Sequence, residues 1–471
     1  MQLPILSGIY SRKGPDFDRS YPINLVPYVN DTQISKGYLR TAPGVTSNGT
    51  GQGADRGGIE WNGVLYRVSG TKLIQVASDG TTIILGTVGG TTQCTFAISF
   101  DRLGIQSNGN LYYYDPTNGF VQVTDANLGT CVDVCWQDGY FIPTDGTVIR
   151  VSDLNDPTVF PALAYGSAEA DPDGIRGILS IRGELYALGS ETIEVFYNTG
   201  VVTDAAPFPF ARMRGAQIDK GIVGTGAKCL FLDTFAFCGA GKNERPRVYV
   251  AGQGSALPIS DTTVERALSS LTDDELATIV LESRTGEGVV ELLVHLPCTT
   301  FVYSHSASQA LQTPVWYRLG SGALGKDQYR PRNFVLCYDR WNCGDCTGTA
   351  LGYLDNTTAA QFGDVAGWRF DAELVYSEGK GAICHELELV GQFGRSTTTE
   401  TPLAFMSWTD DGLTFSQERT AKLGSRGQTT ARPAWRRNGM FRNWRSYRFR
   451  GASAVPVSFH RLEAQFEALN G

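Results

Sequence analysis

A repeated pair of short β-forming runs restricts the fold of this chain more than any other feature. Six such pairs occur between residues 58 and 325, and each is typical of two antiparallel strands joined by a connection. In four pairs the connection is a glycine-containing turn: Ser69-Gly70, Asn108-Gly109, Asp145-Gly146 and Gly189-Ser190. Glycine accounts for 55 of the 471 residues, which agrees with many tight turns between short strands.

The spacing of these six hairpins predicts a β-propeller. Equivalent points in successive hairpins lie 37 to 55 residues apart, close to the period of about 40 to 50 residues of a four-stranded blade. One blade cannot bury both of its faces alone, whereas blades arranged around an axis cover one another. We therefore predict an all-β fold with a six-bladed β-propeller over residues 58–365, in preference to a β-sandwich in that region.

Two further regions flank the predicted propeller. Residues 1–57 are rich in proline and lack periodicity, so we predict an irregular N-terminal arm. Residues 366–471 alternate apolar and polar residues more regularly, which predicts a C-terminal β-sandwich-like domain with one solvated face. A short helical insertion begins near Thr263, and Thr272 with Glu275 forms a capping box ahead of a second helix. We expect these helices to pack on the rim of a blade.

Charge is distributed unevenly along the chain. Residues 1–418 contain 29 Lys and Arg against 46 Asp and Glu, whereas residues 419–471 contain 11 against 2. The first part therefore has a balance of −17 and the second a balance of +9. Such polarity indicates that the chain docks onto a partner.

The basic segment interleaves arginines with aromatic residues between residues 432 and 450. Such a surface can bind phosphates, dock an acidic protein, or form a solvated strand face whose arginine stems cover aromatic rings. We favour protein docking, because arginine is enriched at protein interfaces. The predicted subunit- or partner-docking residues are Arg436, Arg437, Arg442, Arg445, Arg448 and Arg450.

Metal-binding patterns are weak in this sequence. The four histidines, at 295, 305, 385 and 460, have no recognised metal spacing. Cys343 and Cys346 form a CxxC pair near Cys337, and Cys384-His385 could complete a zinc site only if the fold brought it close. We predict no metal and no cofactor, while a metal at the three nearby cysteines stays open. The simpler interpretation is buried thiols in a reducing cytosol.

Catalytic patterns are equally weak. A glycosidase needs two carboxylates about 5–9 Å apart on one face, and no motif orders the candidates Asp171, Asp173, Asp233 and Glu244. The Asp410-Asp411-Gly412 turn resembles an Asp-box, which shapes a hairpin and carries no chemistry. We predict that the protein is not an enzyme. Two alternatives stay open: a glycan-binding or glycan-cleaving propeller protein, and a cytosolic propeller scaffold.

Several short segments follow one another in a distinctive order and spacing. They include Asn24-Leu25-Val26-Pro27, Pro172-Asp173-Gly174-Ile175, Ser190-Glu191-Thr192-Ile193-Glu194, Lys220-Gly221-Ile222-Val223-Gly224-Thr225 and His295-Leu296-Pro297. Together these segments resemble the packaged-DNA stabilisation proteins of short-tailed bacteriophages, the tail-hub or nozzle subunits. The resemblance extends from about residue 20 to residue 450 and is weakest over residues 326–365, which include the clustered cysteines.

This resemblance implies a structural protein of the virion tail that assembles in the host cytoplasm. Copies are expected to form a hexameric ring beneath the portal and its head-to-tail adaptor. The ring would retain packaged DNA, form part of the ejection conduit, receive the tail needle and dock tailspikes or fibres. DNA would pass without sequence-specific binding, and the acidic balance of residues 1–418 would weaken its adhesion if enough carboxylates face the channel. The sequence has no long apolar run, so we expect no membrane contact.

Overall fold

The computed structural model describes residues 1–11, 16–30, 32–154, 156–168, 171–203, 207–252, 254–395 and 399–469. These residues contain 44 strands and three helices, numbered below in chain order. They form a β-propeller and a β-sandwich. In the part of the chain described, no helix has the length and hydropathy needed to cross a membrane.

Six sheets of the propeller have four antiparallel strands each. Blade 1 contains β7 (Asp55–Trp61), β8 (Val64–Ser69), β9 (Lys72–Val76) and β10 (Thr82–Thr87). Blade 2 contains β11 (Thr95–Ile98), β12 (Leu103–Ser107), β13 (Asn110–Asp115) and β14 (Gly119–Gln122). Blade 3 contains β15 (Asp133–Gln137), β16 (Tyr140–Thr144), β17 (Val148–Arg150) and β18 (Tyr165–Ser167).

The next three blades follow the same pattern. Blade 4 contains β19 (Ile175–Ile181), β20 (Glu184–Gly189), β21 (Ile193–Asn198) and β22 (Phe210–Arg212). Blade 5 contains β23 (Lys228–Phe231), β24 (Thr234–Gly239), β25 (Arg247–Gly252) and β26 (Ser255–Pro258). Blade 6 contains β27 (Val280–Gly286), β28 (Val289–His295), β29 (Thr300–Ser304) and β30 (Trp316–Leu319). Each predicted hairpin forms the middle two strands of one blade.

A seventh blade corrects the predicted number of six. It contains β31 (Pro331–Cys337), β32 (Arg340–Asp345) and β33 (Ala350–Asp355), and its fourth strand is β6 (Gly44–Thr50) from the N-terminal region. Strands β34 (Ala360–Gln361) and β35 (Asp364–Val365) extend the sheet. The seventh blade escaped prediction because its β31–β32 turn, Tyr338-Asp339, has two positive φ angles without a glycine.

Side chains between neighbouring blades form separate cores. Blade 1 packs on blade 2 through Trp61 and Ile105, for example, and blade 5 on blade 6 through Val248 and Leu292. The first strand of blade 7 contacts the first strand of blade 1, which closes the ring. At this junction Arg67 of β8 donates to both carboxylate oxygens of Asp55 at 2.7 and 2.8 Å. Arg67 also donates to the backbone oxygen of Asn333 in β31 at 2.9 Å.

The helical insertion agrees with its prediction. Helix α1 (Thr262–Ser269) begins after Asp261, whose side chain accepts from two backbone amides of the first turn. Helix α2 (Asp273–Ala277) begins with the predicted capping box of Thr272 and Glu275. Apolar residues of both helices join the core between blades 5 and 6. A third helix, α3 (His305–Leu311), connects β29 to β30.

The C-terminal domain is a sandwich of two sheets, as predicted. The larger sheet contains β4 (Leu25–Tyr28), β5 (Tyr38–Thr41), β44 (Ser458–Ala468), β38 (Ala382–Gln392) and β41 (Ala434–Arg436), with β1 (Gln2–Leu3) on β44 and β42 (Met440–Phe441) on β38. The smaller sheet contains β36 (Gly367–Asp371), β43 (Trp444–Ala452), β39 (Leu403–Thr409), β40 (Arg419–Lys422) and β37 (Val375–Tyr376).

The N-terminal residues differ from the predicted irregular arm, because they contribute strands to both domains. Strands β1, β4 and β5 belong to the sandwich, and β6 completes blade 7. Strands β2 (Gly8–Ser11) and β3 (Phe17–Ser20) form a ribbon that contacts α1 and β36. Strands β1 and β5 pair with β44, and β6 pairs with β33, each hundreds of residues away in sequence, so local periodicity carries no sign of these pairings.

Candidate docking site in the C-terminal domain

The arginine-rich segment is divided between the two sheets of the sandwich. Strands β41 and β42 pair with β38 in the larger sheet, whereas β43 pairs with β36, β37 and β39 in the smaller one. The six predicted docking arginines therefore lie in different environments. They do not form one continuous cationic face.

Arg445 is buried and forms hydrogen bonds with several neighbouring residues of the domain. Its side chain is 3% exposed and donates two hydrogen bonds to Asp410, at 2.6 and 2.9 Å. It also donates to the backbone oxygens of Asn438 and Met440, at 2.8 and 2.9 Å. Its guanidinium lies 5.1 Å from the centre of the Phe441 ring. An arginine that is buried and hydrogen-bonded in this way stabilises the folded domain and is not available to a partner.

Arg448 and Arg450 are also paired within the domain. Arg448 donates two hydrogen bonds of 2.8 Å to the buried carboxylate of Asp371, and its guanidinium lies 3.7 Å from the centre of the Phe415 ring. Arg450 forms a bidentate ion pair with Glu418. Their positive charges are compensated inside the subunit, so little charge remains for a partner.

The other three predicted arginines are exposed. Arg436 forms a 3.1 Å ion pair with Glu386, which lies opposite it on β38. Arg437 and Arg442 are exposed, and within the described part of the chain their side chains make no hydrogen bond or ion pair. These two residues carry the uncompensated charge of the predicted set.

The loop that carries these two arginines is firmly anchored. Asn438 is fully buried, and its side-chain amide donates to the backbone oxygen of Trp435 at 2.9 Å. Arg419 donates to the side-chain oxygen of Asn438 at 2.7 Å. The backbone amide of Asn438 donates to Cys384, and the amide of Cys384 donates to Gly439. Arg437 has a φ of +59°, so a left-handed residue turns the chain out of β41.

Two exposed apolar residues beside these arginines were not predicted. Met440 is 53% exposed and lies opposite Ile383, and Tyr376 is 63% exposed and lies opposite Trp444. The turn before β38 is close to Arg442, since a Cβ atom on Gly381 would lie 3.1 Å from the Cα of Arg442. We name Tyr376, Arg437, Met440 and Arg442 the basic tip. Its apolar members leave no sequence signal, because exposed and buried apolar residues look alike in a short strand.

Three of the four carboxylates considered for glycosidase chemistry accept hydrogen bonds from neighbouring groups. Asp173 accepts from the backbone amides of Glu191 and Thr192 at 2.8 and 2.9 Å. Glu244 accepts from Lys220 at 2.7 Å, and this contact holds its pKa below the usual value. Asp171 accepts from Gln217 at 3.1 Å, and Asp233 lies exposed in the β23–β24 turn. Of these four residues, Asp171 and Asp173 alone share a loop.

The cysteines considered for a zinc site lie in different cores. Cys337 and Cys343 lie on strands of blade 7, and Cys346 lies in its β32–β33 connection, whereas Cys384 lies in the core of the sandwich. Burial raises the pKa of the Cys343 thiol far above its ordinary value, which favours the neutral form. Among the residues that the structure describes, no group of three or more His, Cys, Asp or Glu could hold a metal ion.

Comparisons with known proteins assign both domains. A family model described as Bacteriophage P22 Gp10, beta-propeller, matches residues 1–359, and one described as Bacteriophage P22 Gp10, beta-sandwich, matches residues 367–467. The tail hub protein gp10 of Salmonella phage P22 is 29% identical over 487 residues, which cover 99% of each chain. The two domain descriptions agree with the architecture observed here.

Two solved structures show low similarity to this chain. The extracellular domain of BT4673 from B. thetaiotaomicron is 9% identical with a TM-score of 0.43, over 72% of this chain and 46% of that chain. The Neurospora crassa Pan2 WD40 domain is 9% identical with a TM-score of 0.40, over 66% of this chain and 96% of that chain. Neither similarity contributes to the assignment of function.

Proposed function

The chain belongs to the Bacteriophage P22 Gp10 family and is a structural protein of a short-tailed phage tail, and we propose that its copies form the ring of the tail hub. The ring lies below the portal and its head-to-tail adaptor and is a hexamer. It retains packaged DNA, forms part of the ejection conduit, and docks the tail needle and the tailspikes or fibres. The observation that carries this proposal is the match of the family over both domains.

The closed propeller supports a load-bearing role. Seven sheets share their faces around an axis, and the N-terminal strand β6 joins the last sheet to the start of the chain. A closed arrangement leaves only short sheet edges, and it resists pressure better than loops would. The role is therefore structural rather than catalytic, in keeping with the engagement of Asp173 and Glu244 in local contacts.

The DNA path lies between copies of the chain and not along the propeller axis. Near the axis, Lys228 of blade 5 donates to Asp133 of blade 3 at 2.7 Å. A Cβ atom on Gly177 of blade 4 would lie within 3.2 Å of both side chains, so three blades converge on this pair. A cavity of about 620 Å³ is lined by uncharged residues of blades 2 and 6 and of the connections between blades, such as Thr95, Gln106 and Thr278.

The acidic balance of residues 1–418 fits a conduit that must release DNA. If the carboxylates face the centre of the ring, they repel phosphates and lower the affinity of the wall for DNA. An electrostatic map of the assembled ring tests this part. A strongly positive channel lining would contradict the proposal that carboxylates facing the channel repel DNA.

Electron microscopy and mass measurement of purified virions test the proposed ring. We expect six copies per particle, arranged as one ring beneath the adaptor, while the free protein sediments as a monomer until adaptor-bearing particles are added. Particles that lack the protein should lose packaged DNA after filling. A single copy per particle, or a protein absent from virions, would contradict the proposal.

A further inference from the structure

We propose that the basic tip of one copy binds the acidic propeller of a second copy and so forms a subunit contact of the ring. This inference rests on the proposed function, because it identifies the surface through which the hub assembles. It assigns the contact to Tyr376, Arg437, Met440 and Arg442. It excludes the paired arginines of the same segment from that role.

The first argument is uncompensated charge. On β38, Glu386 is already paired with Arg436, and on β44 Glu467 is hydrogen-bonded to the ring of His385. In the neighbouring turn, the exposed Glu378 and Lys380 have opposite charges. Among the described residues the guanidinium groups of Arg437 and Arg442 have no ion pair, so both can pair with a partner. When an exposed arginine pairs with an acidic group of a partner, the opposite charges favour the correct partner and raise the rate of association.

The second argument is composition. Tyr376, which lies opposite Trp444, and Met440, which lies between the two arginines in sequence, expose apolar surface. Tyrosine, methionine and arginine are the residue types enriched where proteins bind one another. A nucleic-acid site would need more lysine and arginine side chains than these two, since DNA-binding proteins can contact about 6–10 phosphates. The observations therefore favour a protein surface.

The third argument is rigidity. Arg445 and Asn438 tie the backbone of the loop to both sheets, and both side chains are buried. The backbone positions of Arg437, Met440 and Arg442 are thus fixed before binding. A surface that is already ordered loses less conformational entropy on association, so it binds more tightly for the same contacts.

The fourth argument identifies the occupant as another copy. Residues 1–418 have a balance of −17, and exposed carboxylates such as Asp233, Asp273 and Asp274 have no cationic partner within the described residues. The chain therefore contains both the basic tip and exposed, unpaired carboxylates in its propeller region that can pair with it. Contact between two different surfaces of identical chains is heterologous, and such contacts close into rings when the rotation permits.

Charge reversal tests the tip. The variant Arg437→Glu/Arg442→Glu should fold normally, because neither side chain has a hydrogen-bond or ion-pair partner among the residues that the structure describes, and circular dichroism with thermal unfolding checks this. We expect its assembly onto adaptor-bearing particles to weaken at least about tenfold, since 1.4 kcal/mol of lost or reversed contact energy is tenfold in affinity. The matched control is Arg426→Glu, an exposed arginine outside the tip. Assembly equal to that of the wild type would overturn the proposal.

Photocrosslinking identifies the occupant. A benzophenone amino acid replaces Met440 in half of the copies, and ¹⁵N-labelled copies supply the other half, so that cross-links between copies are recognised by mass. Cross-links from the tip to residues 44–365 of a labelled copy support the proposal. Cross-links to another virion protein or to DNA, or none between copies, overturn it. The ring seen by microscopy is scored separately, so the proposed function can survive when this contact fails.

Discussion

The carboxylate of Asp371 is almost fully buried and shares both oxygens with the guanidinium of Arg448. Burial alone would raise the pKa of Asp371, but the hydrogen bonds and charge of Arg448 outweigh it and hold that pKa below its usual value. The hydroxyl of Ser20 in the N-terminal ribbon also donates to this carboxylate, at 2.6 Å. The charged form of Asp371 therefore stabilises the folded domain.

Replacing the arginine tests how much this pair contributes. Arg448→Met leaves Asp371 buried without its cation, which typically costs about 3–5 kcal/mol. We expect the free energy of unfolding in urea to fall by that amount. The matched control is Arg437→Met, which removes an unpaired surface arginine and should change stability by less than about 0.5 kcal/mol. Equal effects of the two substitutions would contradict this assignment of roles.

The same carboxylate predicts a pH dependence. A group whose pKa is lowered by folding adds stability above its unfolded pKa of about 3.9, and that stability is lost as the pH falls through the lower folded value. Asp371→Asn should therefore be less stable than the wild type at pH 7, and the difference should shrink as the pH falls below about 4. Urea unfolding of both proteins at pH 7, 5, 4 and 3 measures it. A constant difference would show that the charge of Asp371 is irrelevant.

At the scale of elements, β6 is the strand on which closure of the propeller depends. It pairs with β33 from Gly44 opposite Asp355 to Thr50 opposite Ala350. A Cβ atom on Gly352 would lie 2.6 Å from the backbone oxygen of Thr46 and 2.7 Å from the Val45 side chain. These two strands are in contact only because residue 352 has no side chain.

Gly352→Val should therefore separate β33 from β6. We expect a loss of about 1–3 kcal/mol in stability from overpacking, with faster hydrogen exchange in both strands than in blades 3 and 4. The control is Gly174→Ala, whose added Cβ atom would meet its nearest neighbour at an ordinary 3.5 Å. Uniformly faster exchange across all blades, or none, would argue against a local role for β6.

The elements show what the sequence could and could not predict. Six blades were predictable because their central hairpins are local and four of them turn at glycine, as at Asn108-Gly109. The seventh blade was not predictable, for two reasons. Its β31–β32 turn has Tyr338 and Asp339 at positive φ, where asparagine, aspartate and glycine are normally found. Its fourth strand, β6, comes from the N-terminal end of the propeller sequence, whereas the other three strands come from the C-terminal end. Local patterns predict local pairing, whereas pairing across 300 residues leaves no periodic trace.

The choice of docking residues from the sequence has the same limitation. Arginine content marks a segment, but whether each arginine is paired depends on acids that are remote in sequence, such as Asp371 for Arg448 and Glu418 for Arg450. Sequence spacing therefore could not distinguish a structural arginine from a free one. Only the fold separates Arg437 and Arg442 from the rest of the set.

At the scale of the whole molecule, residues 22–24 join the propeller to the sandwich. The backbone amide of Ile23 donates to Arg369 of the sandwich, and the amide of Asn24 donates to Arg318 of blade 6, both at 2.8 Å. The buried side chain of Asn24 donates to the backbone oxygens of Gly320 and Gly367, at 2.9 and 2.7 Å. One side chain thus binds both domains, so we expect them to unfold as one cooperative unit.

Asn24→Ala removes this shared anchor and tests the coupling. It leaves the two buried carbonyl oxygens without that donor, and alanine is strained at the φ of +52° that Asn24 adopts. We expect a loss of about 3 kcal/mol or more and a urea transition that splits in two as the sandwich separates from the propeller. Asn62→Ala is the matched control, because Asn62 has a φ of +53° in an exposed turn and lacks the buried contacts. If both variants unfold in one transition with the same midpoint, backbone strain alone explains the effect. The domains would then be coupled elsewhere, through β6 or the N-terminal ribbon.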